Sequence, residues 1–488
     1  MKMHPQKDQA VKSTGKWGAM LAIGISVFMG TLDISIVNVS LPTLVGQLNT
    51  KFATIQWVVL AYALVITSSM PGVARLGDMW DKKRLFNAGL ALFTLGSLLC
   101  GLSPDIGWLI AFRAVQGCGA VITQALGVAI IVEVFPAAER GRSLGIIGSI
   151  VSVGIAMGPA IGGLIIGLLG WRWIFLVNVP VGFFALIAAW RFLPTSPPYQ
   201  RNQTFDIPGS LLLFLILGCF ALGMTLGQTQ GFGSATVRWM LFMPCLGLAL
   251  FVILERRGSQ PMVDLSLFHD KLFSINLLMG FLTFVTLGTM LLIPFFLELV
   301  KGYPPQKLGL LMMMIPLAMG LTSPLSGALS DHFGPRGISL LGLLVTIGGC
   351  LSISTLHADV SVLGYLLRTA PLGIGLGLFQ SPNNSAVMGA APPERVGVVS
   401  GLLALSRTLG QTTGVPLMGA IFSASVLDAV SPAVLSDVTA APPEALVTGL
   451  TRTFQIGALV MCVSTVLSVS AIWLDRRRGT GSKQPQKR

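Results

Sequence analysis

The chain has 488 residues and a mass of 51.6 kDa, a length that in water would build two to four domains. Composition excludes that: 53% of residues are hydrophobic and 10% charged, with a mean hydropathy of +0.79, against roughly 25% charged in an average soluble domain. So few charges cannot coat soluble domains of this mass, and the bilayer is the expected solvent. The formal net charge of +13 raises the question of nucleic acid. However, the basic residues sit between apolar runs and in the tails, with no basic stripe interleaved with aromatics, so no nucleic-acid partner is expected.

In chain order, Lys2, Lys7, Lys12 and Lys16 precede an apolar region from Trp17 to about Val45. It contains Asp33 and no convincing cleavage site, so it reads as a retained first span rather than a signal peptide. A helix crossing a hydrocarbon core of about 30 Å needs about 20 residues. Qualifying runs in the first half are 17–42, 54–73, 84–103, 107–132, 143–168 and 173–193. Two more follow at 208–227 and 238–255, then six at 272–299, 308–329, 337–356, 361–388, 396–425 and 452–474.

These fourteen spans put both ends on one side. Placing the termini in the cytoplasm gives the cytoplasmic segments 23 of the 32 Lys and Arg, against five outside: Lys51, Arg172, Arg238, Lys301 and Lys307. Arg113, Arg368, Arg407 and Arg452 lie within spans or at their edges. Such an asymmetry is the positive-inside pattern. The pair at 208–255 is the weakest part of the count, and twelve spans is the fallback.

All six cysteines lie in apolar stretches, without a CxxC pair or a nearby histidine, so they read as small hydrophobes. No metal or cofactor is expected. No GxxxxGK[ST] nucleotide loop, HExxH or GxSxG occurs, and the histidines do not cluster, which argues against an ATP-driven pump in one chain and against an enzyme.

The chain also repeats itself. Asp78 and Asp331 lie in similar Leu-small-Asp contexts 253 positions apart, and Arg113 and Arg368 open Gly-rich runs 255 apart. Gly158 pairs with Gly414 and Gly163 with Gly419 at 256, while Pro42 and Pro294 stand 252 apart. A near-constant offset predicts an all-α membrane protein of two pseudo-symmetric six-helix bundles with two inserted helices. The predicted organisation is a tail at 1–16, a first bundle at 17–193, and a linker with two extra spans at 194–271. A second bundle at 272–474 and a basic tail at 475–488 complete it. Two repeats facing across a central cavity is a transporter architecture.

Several motifs carry chemistry. Asp33, in TLDISIVNVSLPTL (31–44), is an ionisable group well inside a span, which is costly and by default marks function. Arg113, in Arg113-Ala-Val-Gln-Gly117-Cys-Gly119, is always charged and needs a partner in the membrane, for which Asp33 is the most central carboxylate. Gly154, Gly158, Pro159, Gly162 and Gly163 line one run, where glycines four apart permit close helix contact and proline bends the helix.

Together these motifs resemble the major facilitator superfamily, specifically its fourteen-span drug:proton antiporter branch, over about residues 20 to 474. The resemblance implies alternating access driven by the proton gradient, with Asp33 and Arg113 as the proton-coupling and substrate-cation pair. It implies a cytoplasmic gate at Arg75, Asp78, Lys82 and Arg84, with a second copy at Asp331 and Arg336. Here Ala74 and Asp81 replace the two glycines of the first copy, whereas Gly327 and Gly334 are kept in the second. The GxxxGPxxGG pattern at 154–163 is similar to that of exporters rather than uptake members, and WRWIFLVNVPVG (171–182) also resembles this branch.

The expected function is thus a proton-coupled efflux transporter, functional as a monomer in a bacterial inner membrane, with lipid, protons and a small lipophilic substrate as its partners. Beyond Asp33 the acids near spans are Glu133 and Glu298, both near helix ends, so monovalent lipophilic cations or neutral compounds are the expected substrates. Alternatives are export of a metabolite such as a siderophore, amino acid or natural product, or uptake by symport. The roles of Glu133, Glu298 and Arg407 stay open at this point.

Overall fold

The computed structural model describes residues 13–195, 207–257, 265–389, 396–430 and 437–481. Among these the regular structure is helical throughout. Among the described residues fourteen helices are long and apolar enough to cross a membrane. In lipid each backbone amide must find its partner within its own segment, which leaves the helix as the solution for such runs.

The first six are α1 (Ser13–Gln47), α2 (Trp57–Met79), α3 (Lys82–Gly101), α4 (Ile106–Val134), α5 (Ala137–Leu169) and α6 (Asn178–Phe192). Two inserted helices follow, α7 (Ile207–Gln230) and α8 (Ala235–Arg257). The last six begin with α9 (Lys271–Leu287) and α10, built from the segments Pro305–Met312 and Met314–Phe333. They continue with α11 (Pro335–Ile353), α12 (Val362–Gly389), α13 (Val396–Ala429) and α14 (Pro443–Gly481). Aspartates set several starts: Asp81 accepts from the Lys83 amide at α3, Asp105 from Trp108 at α4, and Asp270 from Leu272 at α9.

The packing repeats with a shift of eight helices. In the first half α1 packs on α5 and α6, α2 on α4, and α3 on α4 and α6. In the second half α9 packs on α13 and α14, α10 on α12, and α11 on α12 and α14. The inserted α7 lies against α2 and α13, one from each half, while α8 packs chiefly on α7. Large side chains of α8, Trp239, Phe242 and Leu246 among them, are therefore exposed, as a lipid-facing helix requires.

Two helices outrun the apolar runs that mark them in the sequence: α2 continues past 73 to Met79, so Arg75 and Asp78 belong to its last turns, and α5 starts at Ala137, ahead of the run 143–168. A helix satisfies its own backbone and need not stop where the hydrocarbon does. The side chains of Arg75, Asp78 and Asp331 lie outside the described residues. Of the two tryptophans in WRWIFLVNVPVG, Trp173 is exposed, whereas Trp171 is buried, with the Arg172 guanidinium 4.4 Å from its ring centre.

Beyond Leu287, α9 gives way to a 3-10 turn (Gly288–Leu291), one α turn (Leu292–Phe295) and a π turn (Phe296–Val300). Pro294 falls in this stretch and has no amide hydrogen to donate, so regular pairing is interrupted there. The irregular segment abuts α1 of the other half.

Candidate functional site

Five helices of the first half converge on Asp33, midway along α1. The Arg113 Nη1 on α4 donates to Asp33 Oδ2 at 2.6 Å and to Gln116 Oε1 at 2.6 Å, while its Nε donates to the Val58 carbonyl of α2 at 2.9 Å. Gln116 Nε2 donates to Asp33 Oδ1 at 2.9 Å and to Ser97 Oγ of α3 at 2.8 Å. Asn178 Nδ2, at the start of α6, completes the set at 3.0 Å from Asp33 Oδ1. The Tyr62 ring lies 4.2 Å from the guanidinium carbon.

Both charged side chains are sealed, at 1% and 0% exposure for Arg113 and Asp33. An ionised carboxylate accepts at both oxygens, and this one is met by three donors, the arrangement that lets a buried pair persist. Gln116 and Asn178 are functional neighbours that the sequence motifs did not single out. Gln116 lies three residues after Arg113, one turn along the same helix face, which was the available signal. Asn178 has no such neighbour and is found only through the fold.

The exporter-like glycines of α5 divide into two faces. A methyl group at Gly154 or Gly158 would strike Thr31 or Ser35 of α1, and one at Gly162 would crowd Ile36 at 3.2 Å. Gly163 instead faces the other half: a Cβ there would collide with the Pro305 carbonyl, and one at Gly309 with the carbonyl of Pro159. Bare backbone meets bare backbone across the α5–α10 seam, which only small residues allow.

Further contacts join the halves from mid-membrane to the end remote from the chain termini. Thr67 on α2 and Thr412 on α13 lie 3.1 Å apart. Thr43 donates to Glu298 at 3.1 Å, and Phe52 packs on Phe295 and Phe422 with ring centroids 5.0 and 5.2 Å away. Asp437 accepts from the Phe52 amide at 3.1 Å. The inserted α7 takes part, because Gln228 Oε1 accepts from Gln56 and from Ser423, both at 3.1 Å. Hence Glu298, left open by the sequence, lies at the junction of the halves.

At the opposite end the described ion pairs stay within one half. Lys82 pairs with Glu133 between α3 and α4, and Lys16 with Glu139 at 2.7 Å between α1 and α5. Arg336 pairs with Asp475 between α11 and α14, and exposed Arg84 lies 3.8 Å from Asp81. The bundle is thus closed at the end remote from the termini, while each of these pairs at the other end ties together elements of one half.

A family model described as Major Facilitator Superfamily matches residues 23–415. The chain belongs to this superfamily. Among its curated relatives in the superfamily, the riboflavin transporter RibZ of Clostridioides difficile is 34% identical over 415 residues, covering 84% of this chain and 89% of that one. The multidrug resistance protein Stp of Mycobacterium tuberculosis is 35% identical over 407 residues, covering 83% and 75%. A bacterial homologue of the lysosomal transporter Spinster, solved inward-facing and unoccupied, superposes with a TM-score of 0.67 at 17% identity, covering 94% and 97%. That likeness concerns the fold. This superfamily member is therefore a transporter of small molecules and a multi-pass protein of a bacterial inner membrane.

Proposed function

We propose that this superfamily member is a proton-coupled efflux transporter of small lipophilic compounds, working by alternating access without a bound cofactor. The observation that carries the reading is the sealed network of Asp33, Arg113, Gln116 and Asn178 in the middle of one half. A proton reaching Asp33 removes the charge that holds Arg113 and one of the acceptor sites. Arg113 must then find other acceptors, and the helices it ties together, α1, α2 and α4, are free to shift. Protonation is thereby linked to movement of the first half against the second.

With the termini in the cytoplasm, as the basic loops favour, the closed end faces outward. The α5–α10 glycine seam keeps that end tight, and the groups around Arg75, Asp78, Lys82, Arg84, Asp331 and Arg336 form the opposite gate when the molecule rocks. Gly154, Gly158 and Gly162 let α5 slide on α1 as it does so, while Pro159 lies with Gly163 at the α10 seam. One chain holds all these parts, and a monomer suffices.

Of the two substrate classes expected from the sequence, the geometry favours compounds without a positive charge. While its network stands, both Asp33 oxygens are engaged and no free carboxylate is offered to a cation. Divalent cations are poor substrates on the same ground. A second reading, transport of a metabolite, is supported by the 34% identity to a riboflavin transporter.

The test is efflux of a neutral lipophilic fluorophore from cells carrying the wild type or Asp33→Asn, with and without an uncoupler, at matched expression. The proposal requires export that the uncoupler and the substitution both abolish. Export that survives both refutes proton coupling through Asp33.

A further inference from the structure

The second half carries a deeply placed arginine that the proton cycle leaves unused. Arg407 lies on α13 about a third of the way along its apolar span, Val398–Ala429. Its Nη2 donates to Asn384 Oδ1 on α12 at 2.6 Å, and its guanidinium lies 5.8 Å from the centre of the Phe284 ring on α9. No carboxylate among the described residues pairs with it.

The guanidinium is charged at every relevant pH, and an intramembrane arginine is expensive unless paired or facing a polar cavity. Arg407 is half-buried rather than sealed, so part of it is accessible. Its surroundings are neutral donors and acceptors. Gln411 stands one turn after Arg407 and Gln380 one turn before Asn384, so each pair shares a helix face. Both glutamines are half-buried, and neither side chain hydrogen-bonds to a described residue.

Helix α13 adjoins the first half at the level of Gln411, where Thr412 on a neighbouring face lies 3.1 Å from Thr67. Helices α12 and α13 each pack mainly on other partners, α10 and α11 for one, α9 and α14 for the other. The Arg407–Asn384 bond therefore links two helices that otherwise touch little. One cation, three amides and an aromatic face, with no acid, is a donor set for an anion. A guanidinium fork matches a carboxylate bidentately, the amides reach remaining oxygens, and a flat ring stacks on Phe284.

We propose that Arg407, with Asn384, Gln380 and Gln411, is the anion-binding pole of the substrate site, and that the transported compounds include lipophilic organic acids bound as the monoanion. This rests on the efflux reading and sharpens its substrate class. It also fixes the electrical character of the cycle. One proton inward against one anion outward moves net charge, whereas exchange with a monovalent cation moves none.

Binding separates this proposal from proton coupling. The purified full-length protein in detergent is titrated with three coumarins on one ring system: coumarin-3-carboxylate, its neutral ethyl ester and its cationic choline ester. The wild type is expected to bind the carboxylate at least about tenfold more tightly than the choline ester. Arg407→Gln erases that preference, and Arg407→Lys keeps part of it. Asn384→Asp supplies an internal counter-ion, also erases the preference, and carries the test should Arg407→Gln fail to fold. Asp33→Asn retains the preference even where transport is lost, so a failure of proton coupling is visible separately. Equal binding of all three probes by the wild type, binding of none, or an equal loss for all three in Arg407→Gln overturns the proposal.

Discussion

Arg113 in the first half and Arg407 in the second both lie within membrane-spanning helices, and their surroundings differ in kind. Arg113 is enclosed by a carboxylate, an amide, a backbone carbonyl and an aromatic ring, with nothing left for a ligand. Arg407 has one amide and a more distant ring, and is partly accessible. The first arrangement suits a charge that the protein itself switches, and the second suits a charge that waits for a partner from outside. The repeat does not explain this. By sequence offset the counterpart of Arg113 is Arg368, which lies near the start of α12 and binds Thr355 and the Gly364 carbonyl.

The largest expected effect attacks the sealed site. Arg113→Ala strands a buried carboxylate, and breaking such a pair costs about 3–5 kcal/mol. Thermal unfolding in detergent should show it as a marked fall in Tm, clearly exceeding that of Asp33→Asn. A negligible shift would mean that Asp33 is not held by Arg113 in the folded protein. Asp33→Asn keeps one acceptor for Arg113 but leaves that guanidinium without a counter-charge, so it should lower Tm as well as abolish uncoupler-sensitive efflux.

At the seam between the halves, Gly163→Leu forces a side chain onto the Pro305 carbonyl. Overpacking of this kind costs about 1–3 kcal/mol, and here it should fall on closure of the end remote from the chain termini. Cysteine crosslinking across α5 and α10 should then drop while the Asp33 network stays intact. Gln228→Ala removes the acceptor shared by Gln56 and Ser423. Leaving buried donors unpaired costs about 1–3 kcal/mol, which a Tm measurement checks and which would establish the inserted α7 as a structural bridge. The smallest effect is expected at the open site: Arg407→Gln breaks one bond to a neutral amide and should cost about 1 kcal/mol in stability. A loss approaching that of Arg113→Ala would erase the contrast between the two arginines.

Much of this was legible in the residues. Span lengths, loop charges and the 252–256 offsets follow from local composition, because each apolar run must form its own helix in lipid. Asp33 and Arg113 stood out since charges inside apolar runs are rare. Gln116, Asn178 and Gln228 did not, since a neutral amide in an apolar run costs less and has no tell-tale spacing. Asp81, read as a departure from a glycine motif, caps α3, a role that depends on where α2 ends.

By itself, then, the sequence determined the solvent, the number of spans, the duplication and the identity of the buried charges, all properties of short segments taken one at a time. Only the tertiary structure decided which charge is sealed and which is open, that Gly163 meets α10 while Gly154 and Gly158 meet α1, and that Glu298 lies against Thr43. Such pairings depend on how helices hundreds of residues apart cross. Periodicity along one helix gives the direction of a side chain but not what stands opposite it.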